Sequence, residues 1–431
     1  MAERVEFTKE MKDAGYTILV PDMLNTHFKL VIRAFEHYGY HMEMLTNRGQ
    51  SVVDEGLKYT HNDTCYPALL CIGQFIDALN SGKYDVNKTA LMMIQTGGGC
   101  RASNYIHLIR KALEKAGYPA MPVISLNFAG LEKNSGFKIT LPMIRQGLAC
   151  VTYGDLLMLL ENQVKPYETK KGSAVALTEI WIDALSERFC KGQSMSGRQM
   201  EETFDVIARS YADVPVNRVP KVKTAIVGEI YVKYAPLGNN NLEAFLASQD
   251  CEVMVPGLVD FAQYYVQTLL DKYDMYGGNP VVHQGTLLIG GYLKKLKERM
   301  DTIVKKYGFI TSAPFERIKH YVDGIIGRGC TMGEGWLLTA EMVELSELGY
   351  ENIVCVQPFG CLPNHVMGKG MMRKVKERCP NANIVAIDYD PGTTQVNQEN
   401  RIKLMLAVAR EKLEKKLAEA AAETAGEEVF A

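Results

Sequence analysis

The chain has 431 residues, 47% of them hydrophobic, and a formal net charge of −2. That is apolar material for two or three cored domains, and so balanced a charge leaves no electrostatic case for a nucleic-acid partner. No run approaches the roughly 18 apolar residues of a membrane span, and Met1-Ala2-Glu3-Arg4-Val5-Glu6 is not an apolar leader, so no membrane association is expected and a cytoplasmic location is.

In chain order, short apolar and β-branched runs predict strands at 17–20, 90–95 and 122–126, with an amphipathic helix at 102–116 between the last two. From 173 to 211 no strand candidate occurs, and the spacing predicts helices over 178–189 and 200–211. Val214-Pro215-Val216 and Arg218-Val219-Pro220 then break the pattern. Strands resume at 224–230, 252–255, 352–357 and 383–387, with a helix at 339–348, and 413–425 is almost wholly Ala, Glu, Lys and Leu. Strands alternating with helices predict an α/β protein of two Rossmann-like domains, each a parallel sheet flanked by helices, plus a helical segment. The expected division is a first α/β domain at 1–172, a helical connection at 173–215, a second α/β domain at 216–412 and a helical or frayed tail at 413–431. No internal repeat is evident. The helical segment, with Trp181 and Met200 among charged residues, is the expected contact of a homodimer.

Several chemistries leave no trace. There is no Gly-x-x-x-x-Gly-Lys-Ser/Thr, no Gly-x-Gly-x-x-Gly after a strand, no His-Glu-x-x-His and no Gly-x-Ser-x-Gly. No ATP or dinucleotide site is therefore expected on this chain. Structural zinc is poorly supported, because the closest cysteine spacings are Cys65-x5-Cys71 and Cys355-x5-Cys361.

Three of the ten cysteines share one kind of position. Cys65 lies in Asn62-Asp63-Thr64-Cys65-Tyr66-Pro67, Cys100 closes Gln95-Thr96-Gly97-Gly98-Gly99-Cys100, and Cys361 lies in Gln357-Pro358-Phe359-Gly360-Cys361-Leu362-Pro363. Each precedes an expected helix, and the last two follow strand-like runs. In α/β proteins such loops gather at the carboxyl ends of the strands and face helix N-termini, which favour thiolates. Glycines such as Gly97, Gly98, Gly99 and Gly360 let backbone amides approach cluster sulfurs. The arrangement suggests an iron–sulfur site; the plainer reading is three Gly-rich turns that each happen to end in a small residue. Cys71, inside an apolar helix, and Cys355, alternating with valines, read as core thiols.

These segments, with Gly333-Glu334-Gly335-Trp336-Leu337-Leu338-Thr339-Ala340-Glu341-Met342 and Asn364-His365, resemble the D-component family of 2-hydroxyacyl-CoA dehydratases. The branch they resemble most forms the C-terminal module of large activase-like proteins. Benzoyl-CoA reductase subunits and double-cubane cluster proteins belong to the same superfamily. The resemblance implies a 4Fe-4S cluster held by Cys65, Cys100 and Cys361, with an open or exogenously ligated fourth position. It also implies a separate ATP-hydrolysing activator of the actin/sugar-kinase fold that charges the cluster with a low-potential electron. The expected substrate is an acyl-CoA thioester or another small molecule, and the expected activity is dehydratase-like or reductive. A double-cubane 8Fe-9S cluster stays open, with Cys330 and Cys71 as further ligands; otherwise Cys330 is a loop thiol. So does a scaffold or electron carrier without catalysis.

Other candidates are looser. Glu334, between two glycines, reads as an acid or base near a substrate or as a helix-start carboxylate. His365, four residues past Cys361, reads as a proton donor or a cap. Arg101 reads as a charge partner for the thiolates or a solvated arginine. The basic run Lys369, Arg373, Lys374 and Lys376 reads as a phosphate or acidic-partner contact or a solvated helix face.

Overall fold

A computed structural model describes residues 4–95, 98–127 and 132–429, the last of them, 423–429, as backbone only. Eight strands build two sheets: β1 (Thr17–Val20), β2 (His41–Met44), β3 (Thr89–Ile94), β4 (Val123–Leu126), β5 (Val222–Gly228), β6 (Cys251–Met254), β7 (Asn352–Pro358) and β8 (Asn383–Tyr389). The orders are β2-β1-β3-β4 and β6-β5-β7-β8, and every pairing is parallel. The two α/β halves therefore repeat one strand order, second-first-third-fourth, without a visible repeat in the sequence.

Central β5 and β7 are buried along nearly their whole length, as sheets covered on both faces require. The unpredicted strand is β2, at the sheet edge. Its sequence His-Met-Glu-Met mixes charge with two flexible apolar side chains and lacks the β-branched run that marks the others. The strand expected to reach residue 230 stops at Gly228, whose φ of +137° turns the chain. A Cβ there would meet the Val356 carbonyl oxygen at 2.3 Å, so only glycine fits beside β7. The turn leaves Glu229 at the carboxyl end of the sheet, capping the short helix Ile230–Tyr234.

Between the sheets lies a helical core. It joins the helices Leu141–Val164, Ser173–Cys190 and Gly197–Ala212 to the far end of Pro280–Lys305, so helical packing begins well before residue 173. Met200 is only 1% exposed and belongs to this core, packed with Phe204, Ile207 and Tyr211. Trp181 is half-buried and donates its indole N–H to the Ser210 hydroxyl at 2.9 Å. The expectation that these two side chains form an exposed dimer contact is therefore overturned for Met200: its spacing to Phe204, Ile207 and Tyr211 is the core-facing stripe of an amphipathic helix. The expected tail is the end of one long helix, Gln395–Val429.

The halves also share apolar packing, since Tyr66, Leu69, Leu70 and Cys71 of the Tyr66–Asn80 helix join a cluster with Val222, Ile226, Val354 and Val356 of the second sheet. Among the described residues no helix is long and apolar enough to cross a membrane.

Candidate metal centre

Each of the three thiols stands where a helix begins. Cys65 precedes Tyr66–Asn80, which has a proline in its first turn. Cys100 precedes the 3-10 turn Arg101–Asn104, which leads into Tyr105–Ala116. Cys361 follows β7 and precedes a single π-helical turn, Asn364–Gly368. The sulfurs lie beside the backbone N–H of Ala68, Ala102 and Asn364 respectively, groups that a helix start leaves without intrahelical partners.

The loops that carry them interlock. Gly360 has φ +70°, and a Cβ on it would stand 3.0 Å from the Cα of Cys65. Next to that contact the Tyr66 N–H donates to the Phe359 carbonyl at 2.9 Å. Arg101 donates to the Asp63 carbonyl, tying the Cys100 turn to the residues before Cys65. On the other side, a Cβ on Gly99 would lie 3.2 Å from the Met332 sulfur, and one on Gly333 3.2 Å from the Pro363 ring. Gly98 has nothing within 4 Å of a Cβ position, and Gly97 lies outside the described residues.

Cys65 and Cys361 are buried and Cys100 is half-buried. Loss of water pushes all three thiols up, Cys100 to about 11. Around Cys65 the effect is opposed by the Tyr105 hydroxyl, 3.1 Å from the sulfur, and around Cys361 it is reinforced by Glu229 and Glu334. Empty of metal, these thiols stay protonated at neutral pH; a bound metal ionises them and releases the protons.

Half-buried Glu229 and buried Glu334 form a pair against the thiols. Glu229 accepts from the Val232 N–H at 2.9 Å and Glu334 from the Ile230 N–H at 2.8 Å, so each is anchored on the same short helix start. Burial first, and then the neighbouring Glu334, push Glu229 up to about 8; burial raises Glu334 as well. At neutral pH the pair therefore keeps a proton. Lys233, buried and 3.2 Å from Glu341, is the nearby cation.

The remaining candidates fall on the rim or behind it. Cys71 is fully buried on the core side of its helix, with its thiol facing the Tyr231 hydroxyl and Cys65. Cys330 is half-buried; its carbonyl accepts from the Trp336 N–H at 2.9 Å, and its thiol acts on Tyr264. His365 turns Nδ1 back to the Cys361 carbonyl at 2.8 Å and also meets the Gln357 amide. Lys369 pairs with Asp388, while Arg373 and Lys374 both pair with Glu377. Sequence reasoning passed over Glu229. Its one signal was a carboxylate directly after the apolar run Val222–Gly228, a position that faces the crevice of an open α/β sheet.

Among the described residues no three Cys, His, Asp or Glu side chains close on one point as ligands of a single ion do. Cys65, Cys100 and Cys361 stand on separate loops, each met by a backbone N–H, and are the residues that could hold a metal group. No protein-family model matches the chain, and a search of curated proteins finds no match either.

Proposed function

We propose that the chain is an iron–sulfur protein of 2-hydroxyacyl-CoA dehydratase-like type, with Cys65, Cys100 and Cys361 holding a 4Fe-4S cluster. The observation that carries the reading is the seating of the Cys361 turn on the backbone of Cys65, with Cys100 beside them, so that thiols far apart in sequence share one place next to helix-start N–H groups. When bound, such a cluster supplies a low-potential electron for reductive or radical chemistry on an acyl-CoA thioester or another small molecule.

The chain's own residues do the rest. The Ala68, Ala102 and Asn364 N–H groups stabilise sulfur charge. Glu229 and Glu334 keep a proton within the site, available to a substrate that gains negative charge on reduction. Met332, Phe359, Leu362 and Val366 form an apolar, exposed rim on the loops that carry the site. That rim suits docking of the ATP-hydrolysing activator of the actin/sugar-kinase fold expected as partner, which would cover the site from water during transfer.

Iron and acid-labile sulfide in anaerobically purified protein, with EPR spectra before and after a strong reductant, test the reading. About four irons per chain are expected, and about eight would indicate the double-cubane form. Iron-free protein that takes up neither iron nor sulfide on reconstitution would overturn it.

A further inference from the structure

An unpartnered apolar surface lies on a helical hairpin formed by Leu258–Tyr276 and Pro280–Lys305. The two helices pack on each other through Tyr273 and His283, whose rings stack at 3.9 Å, and through Gly290, where a Cβ would stand 3.0 Å from Val266. Val281, Leu288 and Tyr292 lie roughly 160–180° round the helix from Gly290, on the side turned away from its partner. They are 77, 77 and 47% exposed.

The spacing on this face is regular. Val281, Gly285, Leu288 and Tyr292 follow one another at four, three and four residues, the interval of a seam that packs against another helix. Tyr265, Leu269 and Tyr276 make a second stripe on the first helix, at intervals of four and seven. Gly285 has open space above it, so another side chain can approach the backbone closely there.

Area decides what covers the face. Ten of the large apolar side chains more than a third exposed fall between residues 265 and 292. The six on the two stripes, Tyr265, Leu269, Tyr276, Val281, Leu288 and Tyr292, present on the order of 600 Å² at roughly 150–200 Å² for a fully exposed large side chain. Monomers rarely leave more than a few hundred Å² of contiguous apolar surface open, while a stable pairwise interface takes roughly 800 Å² from each partner.

We propose that the Leu258–Lys305 hairpin is the contact between two copies of this chain, its seam packed on the same seam of the second copy about a two-fold axis. An isologous contact needs only one patch to be self-complementary, and a seam spaced at three and four residues meets its own copy without any further matching surface.

The contact would also border the metal centre. Asp271 of the hairpin forms an ion pair with Arg328 at 3.3 Å, Tyr264 donates to the Gly333 carbonyl at 3.1 Å, and Met275 lies against Gly329. The second copy would thus stand next to the 328–335 loop that carries Cys330 and Glu334. The interface needs no metal, so it is expected in iron-free protein too, and a failed metal reading leaves it standing.

Light scattering and sedimentation of the full chain at micromolar concentration test it. A mass twice the 48.1 kDa of the monomer is expected. Leu288→Glu and Val281→Lys should each return the monomer mass with circular dichroism unchanged and a melting temperature that no longer depends on protein concentration, because both side chains are mostly in solvent within one copy. Val206→Glu, at an exposed valine of the separate Gly197–Ala212 helix, should leave the dimer intact. A monomeric wild type, a dimer that survives both hairpin changes, or a mass that climbs past two copies with concentration would each overturn the proposal.

Discussion

The backbone of Gly360 rests on that of Cys65: a Cβ added to the glycine would stand 3.0 Å from the Cys65 Cα. Two candidate metal loops, separated by almost 300 residues of chain, are thus held at backbone contact by the absence of one methyl group.

Gly360→Ala is expected to lower bound iron and to cost stability. The left-handed φ of +70° alone costs roughly 1–2 kcal/mol for an L-residue, and the contact with Cys65 adds displacement of the loop. Gly82→Ala separates the two effects, since Gly82 has φ +73° with nothing within 4 Å of its Cβ position. Urea unfolding should shift in both variants, while iron content should fall only for Gly360→Ala.

Cys65→Ala, Cys100→Ala and Cys361→Ala should each reduce iron sharply. Cys150→Ala, Cys190→Ala and Cys251→Ala should leave it unchanged, although buried Cys150 and Cys251 will cost some stability as small cavities. Iron analysis of the six variants side by side is the measurement; full retention in any of the first three removes that residue from the ligand set.

The Glu229 carboxyl should make iron-free protein less stable as pH rises. Raised to about 8 in the fold, against roughly 4.3 in an unfolded chain, it holds a proton that the unfolded state gives up. The folded state binds more protons across that interval, so stability falls from about pH 5 to pH 8, by at most about 1.4 kcal/mol per pH unit, and levels off above. Asp260 and Glu344 are raised as well and add a slope of the same sign. Subtracting the profile of Glu229→Gln from that of the wild type isolates the effect; superimposable profiles would refute it.

Lys233 and Glu341 form a buried pair at 3.2 Å, both almost fully enclosed. Lys233→Met should cost roughly 3–5 kcal/mol because it leaves a carboxylate buried without its cation. Adding Glu341→Gln should recover much of that loss, and a urea-unfolding cycle over the four proteins measures the coupling.

Without a phosphate-cradling loop in the sequence, the isolated chain should bind no MgATP. Titration calorimetry should give no heat beyond dilution in the micromolar range.

What the sequence disclosed follows from how local each signal is. β3, β5 and β7 could be read because a strand buried on both faces must be a continuous apolar run, and the three thiols because each closes such a run or precedes a proline-marked helix. β2 was hidden because an edge strand needs only one apolar face. Met200 was misread because one methionine among charged residues looks exposed until its partners at four, seven and eleven residues are counted on one helix face. Glu229 owes its place to the φ of Gly228, and Glu334 meets it only through tertiary folding, so their partnership has no sequence signature at all.

Two of the three thiols belong to the half built on the first sheet and the third to the half built on the second. A group bound by all three is therefore a strap across the junction, and its binding energy opposes the halves parting. By reciprocity, whatever pries the halves apart must loosen the group, so affinity at the site doubles as a gauge of closure. Filled protein should come apart in one cooperative step, whereas emptied protein is free to open at the seam before either half melts.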